Sequence, residues 1–217
     1  EGFKKYKTIN QAHAGFLSVD MADQTTAKLT VNKRAGIANF KFDKSAKTGT
    51  ILIGAGISST SLNNAMLKIT SNKTCEGFAD GGDFCGTSTK YKVYFVAEFD
   101  RPANTKGTWI KDALLVDVNH AYGKDSGAYF TFDTNKNSEV NYRIAISYVS
   151  IANAKENLKA NRLEGGFETY HANAVKAWDL SLSKIAIETS NEDRAIQFYT
   201  HLYHSLIHPN IVSDENG

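Results

Sequence analysis

The stretch FYTHLYHSLIHPN, Phe198 to Asn210, holds three of the six histidines of this chain, at positions 201, 204 and 208. Spacings of three and four residues bring side chains onto one face of a helix, the arrangement with which paired histidines grip a metal ion. At about 100° per residue, Gln197, Thr200, His201, His204 and His208 fall on one side, with Ala195, Tyr199, Leu202, Tyr203 and Leu206 almost opposite. His201 and His208 then stand about 10 Å apart along the axis at ~1.5 Å per residue, too far to share one ion through bonds of about 2 Å. A three-histidine site on one helix is therefore excluded. His204 with His208 could bind an ion only with a carboxylate supplied from elsewhere, and solvated or hydrogen-bonded histidines are the commoner outcome.

Cys75 and Cys85 flank CEGFADGGDFC, which reads as a loop. The pair could close a small disulfide ring in an oxidising compartment or remain two free thiols, since geometry decides whether the bond forms. Two cysteines without nearby histidine make a poor zinc site. The acidic tip SDENG offers oxygen ligands for calcium but lacks the regular spacing of a calcium loop, so it reads as a polar turn. GAGISS lacks the full dinucleotide fingerprint and the lysine of a phosphate loop. No Ser, His, Asp set has motif context, and no carboxylate pair stands out from the surface. Asn72-Lys73-Thr74 is a glycosylation sequon wherever the host glycosylates.

The elements that must carry these residues fall into two parts. From Gly15 to Tyr148, short runs with period-two alternation lie between turn residues: GFLSVDM, TAKLTV, IANFKF, TILIGA, LKIT, YKVYFVAEF, GAYFTF and YRIAISYV. They predict antiparallel strands and a large β-sandwich. After Val149 the period changes. Ser150 is a plausible N-cap for SIANAKENLKAN. GGFETYHANAVKAWDLSLSKI places Tyr170, Ala174, Ala177, Trp178 and Leu182 near one helical face. IAIE reads as a short strand or connector. A last helix spans Glu192 to His208, with Ser190 and Asp193 as its cap-like start and Pro209 disfavouring helix at His208. Trp109 and Trp178 read as core.

Composition narrows the class. The chain has 217 residues, 41% of them apolar, enough for a buried core. Its 25 basic and 23 acidic residues are interspersed and leave a formal net charge of +2, which disfavours a nucleic-acid partner. No apolar run approaches the ~18 residues of a membrane-spanning helix, so no membrane partner is expected. The chain opens on Glu1 with no signal peptide, as a processed, tagged or excised product would.

Several segments, in order, resemble glycoside hydrolase family 92, the calcium-dependent exo-acting α-mannosidases. The longest are VYFVAEFDRP, ISYVSIANAKENL and FYTHLYHSLIHPN, and the similarity runs from about Ala12 to the end, with gaps at loops. Ala14 stands where the family usually has Pro, a turn-level departure. The resemblance implies an N-terminal β-sandwich (1–149, incomplete at its start), linker helices (150–189) and the first helix of an otherwise absent (α/α)6 toroid (190–217). It implies inverting hydrolysis of mannose-containing glycans, of α-1,2-mannosidase type, by an acid and a base that belong to the toroid. Calcium would hold the terminal mannose through ligands outside this chain.

Under that resemblance the chain carries no catalytic residue and is expected to be inactive alone, and the complete protein is expected to be secreted or periplasmic. Its partners would be a mannose-containing glycan and either the remaining polypeptide or a second copy, packed on the apolar face of the Glu192–His208 helix. The sugar-contact candidates are Phe84, Cys85 and Gly86 in the loop Gly81 to Thr87, with His204 and His208 bordering a pocket completed elsewhere. Alternatively, that loop is a hairpin with a buried Phe and Cys. The rival functional reading is a non-catalytic carbohydrate-binding or adhesion module.

Overall fold

The computed structural model describes residues 6–55, 61–83 and 86–217, so the later part of GAGISS, Phe84 and Cys85 lie outside the described residues. Among the described residues, two antiparallel sheets are followed by three helices. The larger sheet runs, in spatial order, β1 (Tyr6–His13), β2 (Phe16–Met21), β3 (Thr26–Val31), β4 (Ala35–Lys41), β13 (Glu139–Ser147), β8 (Lys90–Phe99), β7 (Thr74–Gly82), β6 (Ser61–Ile69) and β11 (His120–Tyr122). The smaller runs β10 (Ala113–Val116), β9 (Thr105–Ile110), β12 (Ser126–Asp133) and β5 (Thr48–Gly54). The mainly β sandwich followed by helices agrees with the sequence reading.

The core between the sheets follows from alternation. Phe95, Ala97 and Phe99 of β8 point inward with Val140 of β13 and meet Ile51, Ile53, Phe130 and Phe132 of the smaller sheet. Phe99 is central, with ring centroids 4.7 Å from Phe130 and 5.1 Å from Phe132. Each such side chain contributes roughly 1.5–3 kcal/mol by leaving water. Trp109, 8% exposed, belongs to the interior as expected.

Strand β7 corrects the sequence reading. Of the segment taken as a loop between the cysteines, the part up to Gly82 lies in a strand inside the larger sheet, flanked by β6 and β8. Its glycines mark close approach instead of a turn: a Cβ on Gly77 would overlap the Met66 carbonyl oxygen and come within 2.8 Å of the Phe95 ring, while one on Gly81 would come within 2.8 Å of Tyr91. Aromatic rings on β8 lie over these bare backbone positions and supply the packing that the glycines lack.

The same strand carries Cys75, for which the sequence left open a disulfide with Cys85 or a free thiol; Cys85 lies outside the described residues. Cys75 is a free thiol, fully buried, and burial pushes its pKa up to about 12. From Cys75, β7 carries the chain about 23 Å to Gly82 at ~3.3 Å per residue.

The outer face of the larger sheet carries the helices. α1 (Ile151–Ala160) is capped by Ser150, whose side chain accepts from the Asn153 amide, and lays Ala154 and Leu158 on Ala35, Val96 and Ala145. Lys155 pairs with Glu76 at 2.7 Å, and Glu98 receives both Arg143 and Arg162. α2 (Phe167–Leu182) buries Phe167, Tyr170 and Ala174, the first two against Phe16 and Ile37; of the remaining expected face, Trp178 and Leu182 are half-buried and Ala177 is exposed. α3 (Glu192–Leu206) is capped by Asn191, not Ser190, and ends before His208 because a residue preceding Pro leaves the helical region. The IAIE segment is a connector.

Two outcomes test this packing. Gly77→Val should destabilise the fold by about 3 kcal/mol or more in urea titration, since neither the Met66 carbonyl nor the Phe95 ring has room to withdraw; a loss below about 1 kcal/mol would contradict a buried β7. Cys75 should resist iodoacetamide in the native protein and label only after unfolding, read by mass spectrometry.

Candidate functional site

One end of the larger sheet gathers the loops that matter. The register pairs His13 with Phe16, Val31 with Gly36, Ser147 with Tyr94 and Gly82 with Lys90, so the β1–β2 turn, the β3–β4 turn, the exit into α1 and the β7–β8 hairpin leave from the same end. Gly15 tucks the β1–β2 turn under α2, with φ of 80° and a notional Cβ only 3.0 Å from Ala174 and Trp178. Trp178 in turn packs on Tyr203 of α3 at 4.7 Å. The sandwich thus reaches α3 through one tryptophan.

The acidic tip does more than form a polar turn. Asp214 is 4% exposed, and its carboxylate accepts from Ser147 Oγ at 2.8 Å and from Asn153 and Asn157 Nδ2 at 2.7 Å each. Asn157 Oδ1 accepts from the Glu215 amide, and Arg34 donates to the Ser213 carbonyl and pairs with Glu215. Burial works to raise the pKa of Asp214, but hydrogen bonds from Asn153, Asn157 and Ser147, with the Arg34 charge, outweigh it and hold the carboxyl below the usual carboxylate range. The segment after α3 is thereby tied back to the exit of β13 and to α1.

The residues singled out in the sequence are placed unevenly. Phe84 and Cys85 lie outside the described residues. Gly86 is exposed with φ of 76° and open space where a Cβ would stand, in a hairpin closed by Asp83 N donating to the Thr89 carbonyl at 3.2 Å. His204 is exposed and touches Tyr203 at 5.6 Å, and His208 is exposed beyond the helix end. No hydrogen bond, ion pair or ring contact joins either histidine to the hairpin among the described residues.

The apolar face of α3 is partly covered: Tyr199, Leu202 and Tyr203 are half-buried, with Tyr199 Oη donating to the Ile185 carbonyl at 3.2 Å, whereas Leu206 is 43% exposed.

Sequence reasoning missed a second stripe on α2. Glu168, His171, Val175, Lys176, Asp179 and Leu180 line an open groove of about 720 Å³. His171 stacks on Phe16 at 4.2 Å, and its buried Nε2 has no hydrogen-bond partner among the described residues. The signal was present as i, i+3, i+4 spacing opposite the buried face, but it was masked by the stronger apolar pattern. Among the described residues no group of three or more His, Cys, Asp or Glu could hold a metal ion, and the Asp214 oxygens are already taken by neutral donors. The chain as described does not fit a calcium site.

Comparison with known proteins is consistent across its length. The family model for the glycosyl hydrolase family 92 N-terminal domain matches residues 3–147, and that for the family 92 catalytic domain matches residues 153–217. No curated protein matches. A family GH92 α-mannosidase from Bacteroides thetaiotaomicron is similar at 26% identity and TM-score 0.85, over 99% of this chain and 29% of that one. An inverting mannosidase of the family from Bacteroides thetaiotaomicron VPI-5482 matches 92% of this chain and 26% of its own at 20% identity and TM-score 0.79. The family glycosyl hydrolase ccman5 matches 94% and 29% at 22% identity and TM-score 0.82. The last two likenesses speak to fold alone. The chain spans less than a third of the length of these solved structures.

Asp214→Ala should cost about 2–3 kcal/mol by leaving three donors unpaired. Because the folded pKa is lowered, the stabilisation is present above the unfolded value of about 3.9 and is lost as pH falls through the folded one. Urea midpoints for wild type and Asp214→Ala should therefore converge on acidification; a constant gap between pH 7 and pH 2 would contradict the assignment.

Proposed function

The chain belongs to glycoside hydrolase family 92, and from that premise we propose that it forms the sandwich (1–149), the linker (150–189) and the opening of the catalytic domain (190–217) of an exo-acting α-mannosidase. One observation carries the reading: models for the N-terminal and the catalytic domain of this family match consecutive segments of the same chain. The match of the helical segment to a catalytic domain favours this over a free-standing binding module.

An inverting glycosidase needs a general acid at the leaving oxygen and a base on water across the ring, with the two carboxyls about 6.5–9.5 Å apart. No carboxylate of this chain is assigned either role; acid and base would come from polypeptide outside residues 1–217. So would the ligands of calcium, which would grip the hydroxyls of the terminal mannose. This chain's part is to shape the sandwich side of the pocket. The hairpin of Phe84, Cys85 and Gly86 would approach the sugar, and His204 and His208 would border the pocket from α3. Support for this comes from the exposure of Gly86 and both histidines.

The remaining polypeptide, or a second copy, would cover the helical end. Supporting this, Tyr148, Val149, Ile196, Ile211 and Val212 are 46% to 65% exposed in water, and covering such side chains with further polypeptide would be favourable. No helix of the described residues is long and apolar enough to cross a membrane. We place the complete protein outside the cytoplasm, secreted or periplasmic, where glycans are encountered.

The 217-residue chain alone should release no mannose from α-1,2-mannobiose, while a chain extended to the length of its solved relatives should release it with inverted anomeric configuration, followed by proton NMR. No release by the extended chain would sink the mannosidase reading. In light scattering the isolated chain should associate through α3; a monodisperse monomer with α3 ordered and solvated would argue against the covered face.

A further inference from the structure

On the outer face of the larger sheet, beyond α1, four side chains stand in one row across four strands. Tyr122 of β11 pairs with Met66 of β6, Met66 with Phe78 of β7, and Phe78 with Tyr94 of β8. Their inward neighbours Leu67, Gly77 and Phe95 belong to the other face, where Leu67 and Phe95 join the core. Tyr122 is 61% exposed, and the other three are half-exposed. The rings of Phe78 and Tyr94 lie 6.2 Å apart edge to face, and Tyr122 has the parallel ring of His120 beside it at 6.4 Å.

Polar rows flank this stripe on both sides. One side holds His120, Lys68 and Glu76 as successive cross-strand neighbours. The other holds Asn64, Asp80 and Lys92, with Lys92 and Asp80 paired at 3.3 Å and the Lys92 ammonium 4.4 Å above the Phe78 ring.

We propose that this stripe binds an oligosaccharide. Three strand spacings make the row about 14 Å long at ~4.8 Å each, and one side chain wide it offers on the order of 100–200 Å². A stable protein complex buries roughly 800 Å² per partner, so a second protein is a poor occupant. A sugar chain fits the chemistry. The C–H face of a pyranose lies against the negative face of an aromatic ring, and its equatorial hydroxyls reach sideways to charged and amide groups. The flanks carry both signs of charge, which gives no preference to an anionic ligand. Mannan as the probe rests on the proposed function; the sugar chemistry of the stripe does not.

Affinity electrophoresis of the 217-residue chain in gels containing yeast mannan or starch tests the proposal. Mannan should retard the wild type and Tyr122→Phe alike, while Tyr122→Ala should weaken retardation about tenfold or more. Tyr122 lies on an exposed edge strand, and an unchanged thermal transition would show the fold intact. Retardation by neither polysaccharide, or retardation that Tyr122→Ala leaves unchanged, would overturn the proposal. So would a change of molecular mass in Tyr122→Ala without any retardation, because the stripe would then be a protein contact. Ring-dependent retardation by starch alone would uphold the stripe and count against mannose. A failure of hydrolysis by the extended chain would leave the gel result standing, so the two readings fail separately.

Discussion

A sheet of nine strands with apolar side chains on both faces has to be covered twice, and this requirement organises the molecule. The smaller sheet covers one face through the cluster around Phe99, Phe130 and Phe132. The other face is covered by α1 and α2, through Ala154 and Leu158 on β4, β8 and β13, and through Phe167 and Tyr170 on β2 and β4. The helices that follow the sandwich are thus a third layer of the same fold, and their positions are set by the sheet beneath them.

That third layer connects the sandwich to α3 and to the segment after it. Trp178 bridges from the Gly15 turn to Tyr203, and Asp214 ties the segment beyond α3 to Ser147, Asn153 and Asn157. α3 itself buries no residue fully, so its orientation depends on these two attachments at its ends and sides. A buried carboxylate satisfied by neutral donors suits this purpose. It costs a great deal to break and admits one geometry only.

The coverage is incomplete where α1 stops. Beyond Glu76 the outer face passes to the row of Tyr122, Met66, Phe78 and Tyr94, and beyond Ser147 it passes to the exposed apolar residues of the exit and of α3. The two surfaces differ in kind. The first is one side chain wide and edged with charge, and the second is made of apolar side chains.

Alternation and helical period made most of this fold legible in the residues: the runs from Phe16 to Ser147, the change at Ser150, its cap, and the buried face of Tyr170 and Ala174 all follow from local patterns of two or 3.6 residues. The family, too, was legible, in long ordered segments. Strands β1, β9, β10 and β11 were not among those runs, and neither was β7, because Gly77 and Gly81 have no strand preference of their own and gain their place only under Phe95 and Tyr91, contributed by another strand. The role of Asp214 was hidden for the same reason, since its donors stand 57 to 67 residues earlier in the chain. The aromatic row and the groove along α2 likewise depend on register and on neighbours. Local periodicity determines which segments become strands and helices; which side chains meet is decided by pairing across the sheet, a long-range property that short sequence patterns do not encode.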